Sequence, residues 1–145
     1  MTKAHPVCVL DASALLASAF GESGAEVVRG LISGALISAA NWSEFLQKCA
    51  QFGVDTEGMR EELQAAGLQI VPVSVAHAER AAALWPLARA AGLSLGDRLC
   101  LALGEASGAT TYTADRIWLS LDLGMKVVCV RPASEVHQPS MEPLV

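Results

Sequence analysis

The sequence predicts an α/β fold, a single domain in which a central parallel sheet of five strands is flanked by about seven helices. Three observations predict it. Short apolar runs alternate with segments of helical periodicity, the pattern of successive crossovers onto one sheet. The first of those runs ends abruptly in an aspartate. The length, 145 residues with 52% hydrophobic side chains, suits one domain that buries roughly 70% of the surface its unfolded chain exposes.

Val7 to Leu10 is an unbroken apolar run closed by Asp11, as expected of a central strand buried on both faces. Ala12 to Phe20 reads as a helix that Gly21 ends. A second helix is expected from about Glu22 to Ser33, with Val27, Val28, Leu31 and Ile32 at helical spacing, and a strand from Ala35 to Ala39 follows Gly34. Asn41 is placed as the cap of a helix running to about Phe52 and stopping at Gly53, and Asp55 as the cap of one from Thr56 to Ala66. Leu68 to Val73 is the third strand. An Ala-rich helix is expected over Val75 to Ala91, with Pro86 inside it predicting a kink or break. Ser94 opens a helix through Ala106, Thr110 to Thr113 is the fourth strand, Arg116 to Leu121 a short helix and Lys126 to Val130 the fifth strand. Beyond Arg131, prolines at 132, 139 and 143 interrupt any pattern. The expected division is a domain over 1–131 and a loosely held tail over 132–145.

Composition narrows the function. The formal charge of -5 argues against a protein that coats nucleic acid through a general basic field, though not against a local contact. Asp11 interrupts the N-terminal apolar run where a signal peptide needs continuity, and no stretch approaches the roughly 20 apolar residues of a membrane span. Cys8, Cys49, Cys100 and Cys129 are widely spaced and form no Cys-x-x-Cys pair, so buried, reduced thiols in a cytoplasmic protein are expected.

Ligands of open α/β sheets bind at the carboxyl ends of the strands. Asp11 ends the first strand there, Asp115 follows the fourth, and Glu44 lies in the first turn of the helix after the second. Asp97 opens the helix before the fourth strand, and topology alone leaves it unplaced. Each has a local alternative. Asn41 to Glu44 and Ser94 to Asp97 both have capping-box spacing, and Asp115 is a good helix cap. Asp11 is harder to dismiss, because a carboxylate at the edge of a core is costly without a partner. Two carboxylates about 4 Å apart repel by roughly 4 kcal/mol at an effective dielectric of 20, so a cluster needs protons or a cation. All-oxygen donors select Mg²⁺ or Mn²⁺ over zinc, and the usual work of such a site is attack of water on phosphorus.

These segments resemble the PIN-domain family, in particular the VapC-type toxins of toxin–antitoxin pairs. Val9-Leu10-Asp11-Ala12-Ser13 resembles its first motif, Ser43-Glu44-Phe45 the second, Leu93-Ser94-Leu95-Gly96-Asp97-Arg98 the third, and Thr113-Ala114-Asp115-Arg116 with Trp118 the fourth. The resemblance runs to about Arg131. It implies Asp11, Glu44, Asp97 and Asp115 as catalytic ligands of one or two Mg²⁺ ions, with Mn²⁺ as substitute, and endonucleolytic cleavage of RNA by activated water. Asp11 and Asp115 are then direct ligands, Asp97 positions the metal and its water, and Glu44 binds directly or through water. Thr113 and Ser13 are supporting hydroxyls, with local capping as the alternative. Arg98 and Arg116 are candidates to steady RNA phosphates, or else ordinary surface charges. The resemblance also implies a homodimer and a cognate antitoxin whose tail lies near the first helices, where Leu15, Leu16 and Phe20 line a groove or belong to the core.

Two other enzyme classes fit poorly. A phosphoacceptor receiver needs an aspartate after the third strand, where Val71-Pro72-Val73 stands, and a dehalogenase-like phosphatase needs a carboxylate where Ser13 stands. A non-toxin RNA-processing nuclease and a catalytically silent binding module remain as alternatives to the toxin.

Overall fold

The computed structural model describes residues 7–132. The tail expected from 132 onward lies outside the described residues except for Pro132. Five parallel strands form one sheet in the order β3-β2-β1-β4-β5: β1 Cys8–Leu10, β2 Ala35–Ser38, β3 Gln69–Val71, β4 Thr110–Thr113 and β5 Val127–Cys129. The helices are α1 Ala12–Phe20, α2 Ala25–Leu31, α3 Ala39–Gln51, α4 Met59–Ala65, α5 Val75–Ala83, α6 Trp85–Ala88 and α7 Leu95–Ser107, with 3-10 segments at Arg89–Ala91 and Arg116–Ser120. The predicted fold class is the one observed.

The central strand divides the core in two. Cys8 and Leu10 pack on one side with Leu15, Val28, Ile37 and Phe45, while Val9 packs on the other with Leu84, Leu101 and Trp118. This is the period-2 alternation of a strand, here apolar on both faces because helices cover both. Strand order reverses beside β1, which lies between β2 and β4. The register Cys8↔Thr110, Val9↔Thr111, Leu10↔Tyr112 brings the next residues, Asp11 and Thr113, together at the carboxyl edge.

Several boundaries differ from expectation for local reasons. Ser38, not Asn41, caps α3, its hydroxyl accepting from the Ala40 N–H, so the helix begins earlier and Asn41 falls inside its first turn. Asp55 makes a turn with the Glu57 N–H, and α4 starts only after Gly58. α2 starts after Gly24, whose φ of 93° and closeness to Val130 leave no room for a side chain. Pro86 sits at the start of α6 and divides the expected long helix into α5, α6 and a 3-10 turn. Cys8, Cys49 and Cys100 are buried free thiols and Cys129 is partly buried. Among the described residues, no helix is long and apolar enough to cross a membrane.

Candidate active site

The carboxyl edge of the sheet carries an open cleft of about 300 Å³ lined by Asp11, Ser13, Leu16, Glu44, Gln47, Lys48, Asp97, Asp115 and Trp118, with Ala12 completing its wall. All four predicted acids are brought together here, from segments as far apart in sequence as residues 11 and 115.

The capping readings hold for Asp97 and Asp115 but not for Glu44, and Asp11 is a cap as well. Asp11 caps α1, its Oδ1 accepting from the Ala14 N–H at 2.8 Å. Asp97 forms a capping box with Ser94, its Oδ2 accepting from the Ser94 N–H at 2.9 Å. Asp115 caps the 3-10 segment, accepting from the Ile117 N–H at 3.1 Å. Asp11, Asp97 and Asp115 therefore sit at the positive end of a helix, which offsets part of the charge gathered in the cleft.

Asp11 is the most enclosed, 3% exposed. Thr113 Oγ1 donates to its Oδ2 at 2.7 Å, and Ser13 Oγ lies 2.8 and 3.0 Å from its two oxygens. The hydroxyls are themselves fixed, Ser13 accepting from the Ala114 N–H and Thr113 from the Asp115 N–H. Even so, burial pushes the Asp11 carboxyl up to about 7, with a smaller push from the charge of Asp97, against the hydrogen bonds of Ala14, Thr113 and Ser13. Burial also raises Asp97, helped by Asp115 and opposed by the Ser94 hydrogen bonds and by Arg98. Burial, followed by the charges of Asp11, Asp97 and Glu44, keeps the nearby Cys100 thiol protonated.

Glu44 is not in a capping box. Its Oε1 accepts from Asn41 Nδ2 at 2.9 Å, and its carboxylate lies where a Cβ at Gly96 would stand, only 2.7 Å from its carboxyl carbon. Arg98 and Arg116 are not in the cleft lining. Arg98 donates to the Ala81 carbonyl, and Arg116 to the carbonyls of Arg131 and Pro132. Lys48 is instead the cation in that lining, one helical turn beyond Glu44. Sequence reasoning missed Lys48, Gln47 and the buried Asn41, although all lie three or four residues from Glu44 on a helix. Leu16 borders the cleft, Leu15 is core, and Phe20 packs edge-on against Phe52 at 5.4 Å.

The donors available are carboxylate and hydroxyl oxygens, the chemistry that suits a hard divalent cation. Among the described residues, no three His, Cys, Asp or Glu side chains converge tightly enough to hold an ion by themselves. Mg²⁺ tolerates such a layout, because it keeps several waters and is commonly held by one or two carboxylates plus substrate phosphate.

The PIN domain family model matches residues 8–123. No curated protein matches the chain. Among solved structures, a toxin–antitoxin complex from Klebsiella pneumoniae is similar at 21% identity and TM-score 0.67, over 85% of this chain and 97% of that one. FitAcB from Neisseria gonorrhoeae is similar at 15% identity and TM-score 0.63, over 85% and 97%. DNA-bound VapBC from Salmonella typhimurium is similar at 11% identity and TM-score 0.67, over 87% and 99%. At these identities the likeness to solved structures is one of fold.

Proposed function

Because the chain belongs to the PIN domain family, we propose that it is a Mg²⁺- or Mn²⁺-dependent endoribonuclease serving as the toxin of a toxin–antitoxin pair. Asp11, Glu44, Asp97 and Asp115 are its metal-binding and catalytic carboxylates in this reading. The observation that carries it is the meeting of these four acids on one cleft at the point where strand order reverses, with Asp11 and Asp97 raised by burial and by neighbouring acids. Such a cluster is held most cheaply by a cation.

When bound, the divalent ion supplies positive charge against phosphate oxygens and acidifies water. The residues of the chain do the positioning. Ser13, Thr113 and the Ala14 N–H hold both oxygens of Asp11 in one orientation. Asp97, in the cleft lining, commits Oδ2 to Ser94, and its other oxygen would help to position the metal and the water that attacks phosphorus. Asp115, exposed at the rim, meets solvent and substrate first. Lys48 offers an ammonium to a flanking phosphate, and Arg98 and Arg116 would have to leave their carbonyl partners to do the same.

The toxin role is supported by fold: the similar structures include toxin–antitoxin complexes. The partner is then an antitoxin, and the homodimer expected from the sequence belongs to the same reading.

The test is cleavage of single-stranded RNA by the purified protein with Mg²⁺ or Mn²⁺, its loss in EDTA, and its loss in a folded Asp11→Asn variant. Cutting by that variant at the wild-type rate overturns the site assignment. Growth arrest on expression, relieved by a small neighbouring open reading frame, separates a toxin from a solitary RNA-processing enzyme. A folded protein that binds RNA without cutting it under any divalent ion would be the silent module.

A further inference from the structure

Asn41 is fully buried in the first turn of α3, yet its side chain serves neither the cap of that helix nor solvent. Its Nδ2 donates twice, to Glu44 Oε1 at 2.9 Å and to the Gly96 carbonyl at 3.0 Å. Gly96 immediately precedes Asp97 in the first turn of α7. Both acceptors require the nitrogen on this side, which leaves Oδ1 buried without a partner among the described residues. An unsatisfied buried amide oxygen costs folding free energy, and an apolar side chain would avoid that cost only by leaving both acceptors without their donor. What the amide provides is geometry: one N–H sets the Glu44 carboxylate, and the other ties α3 to the turn that carries Asp97. Gly96 completes the clamp, since any side chain there would strike the Glu44 carboxylate.

We propose that Asn41 is a positioning residue for the cleft, fixing Glu44 and the Asp97-bearing end of α7 at one separation so that both acids face the same metal. The inference rests on the reading of the cleft as a divalent-metal site. Asn41 touches neither metal nor substrate in it and acts through its two acceptors.

Asn41→Leu keeps the branching of the side chain and removes both donors, at the cost of two bulkier methyl groups. The variant is expected to fold with a thermal midpoint below that of the wild type, because the Gly96 carbonyl and the Glu44 carboxylate lose their shared donor, while its Mn²⁺ affinity by calorimetric titration falls about 10- to 100-fold, as for other groups that orient metal ligands. In RNA cleavage the loss falls on kcat, with KM changed less than about threefold. A double-mutant cycle with Glu44→Gln separates positioning from packing. The doubly substituted protein is expected to bind Mn²⁺ far better than the product of the two single losses predicts, because both changes remove one shared interaction. Should Asn41→Leu not fold, Asn41→Ser, which leaves room for water, carries the same expectations. Wild-type Mn²⁺ affinity in the Asn41 variant, or strictly additive losses in the cycle, overturns the proposal. Absence of Mn²⁺ binding by the wild type overturns the metal-site reading itself, and loss of binding in Glu44→Gln but not in the Asn41 variant overturns Asn41 alone.

Discussion

Asp11 and Asp115 stand at the ends of neighbouring strands and both cap the helix that follows, yet their surroundings are opposite. Asp11 is enclosed, with donors on both oxygens, and its carboxyl is raised to about 7. Asp115 is exposed and holds a single backbone N–H. The difference teaches that the cleft is built in two grades. Its floor is enclosed and costly to charge, whereas its rim is open to solvent.

The sharpest way to break this comparison is to neutralise each acid in turn. Both Asp11→Asn and Asp115→Asn are expected to bring RNA cleavage to background, but only the first should alter stability strongly. Without metal at pH 8, Asp11→Asn is expected to stabilise the protein by on the order of 1–3 kcal/mol, the relief of a buried charge less the weaker acceptor left behind. Asp115→Asn should stay within about 0.5 kcal/mol of wild type, since asparagine caps as well as aspartate. Equal stability changes in chemical denaturation would erase the distinction between floor and rim.

Next in size is Thr113→Val, which deletes the donor to Asp11 and the acceptor for the Asp115 N–H. Loss of about 1–3 kcal/mol and a 10- to 100-fold fall in cleavage are expected. A variant that retains full activity would show that the floor needs no hydroxyl.

The pH dependence of stability follows from the sign of the Asp11 shift. The folded protein holds this proton up to about 7, whereas the unfolded chain releases it near 3.8, so between those values the folded state binds more protons. The contribution of Asp11 is fully present below about 3.8 and is lost as pH rises through 7. Metal-free wild type should therefore show a decline in this window that Asp11→Asn lacks, measured as the difference between their thermal midpoints. Parallel curves would contradict the burial of an ionisable group there.

The smallest effect is expected from Ser94→Ala, which removes the capping hydroxyl at the start of α7 and with it one support of Asp97. A loss of about 1 kcal/mol is expected in denaturation, with only a severalfold fall in cleavage because the Asn41 tie to Gly96 remains.

What could be read from the sequence was what depends on neighbours along the chain. α1 and β4 have the expected limits because a terminal glycine, an aspartate cap and β-branched threonines are local signals. Asp11 stood out because a carboxylate after a buried strand has few uses, whereas Asp97, unplaced by topology, was joined to the set only through the family resemblance. Asn41 was misread because its spacing to Glu44 fits a cap, while its second acceptor lies 55 residues away. Gly24 likewise answers to Val130, far along the chain, and α2 starts later than its own periodicity suggests.

The strand order has a consequence in time. Asp11 and Glu44 emerge early from the ribosome, but the hydroxyl that fixes Asp11 and the rim carboxylate come from β4 and the turn after it, about a hundred residues later. During synthesis the early acids stand without these partners until β4 docks beside β1, so under the proposed function a nascent chain would not yet cut RNA. A fragment ending at Ala109 is expected to bind no Mn²⁺, and binding by it would show that the cleft forms earlier. The sheet thus makes the docking of β4 a condition for completing the cleft.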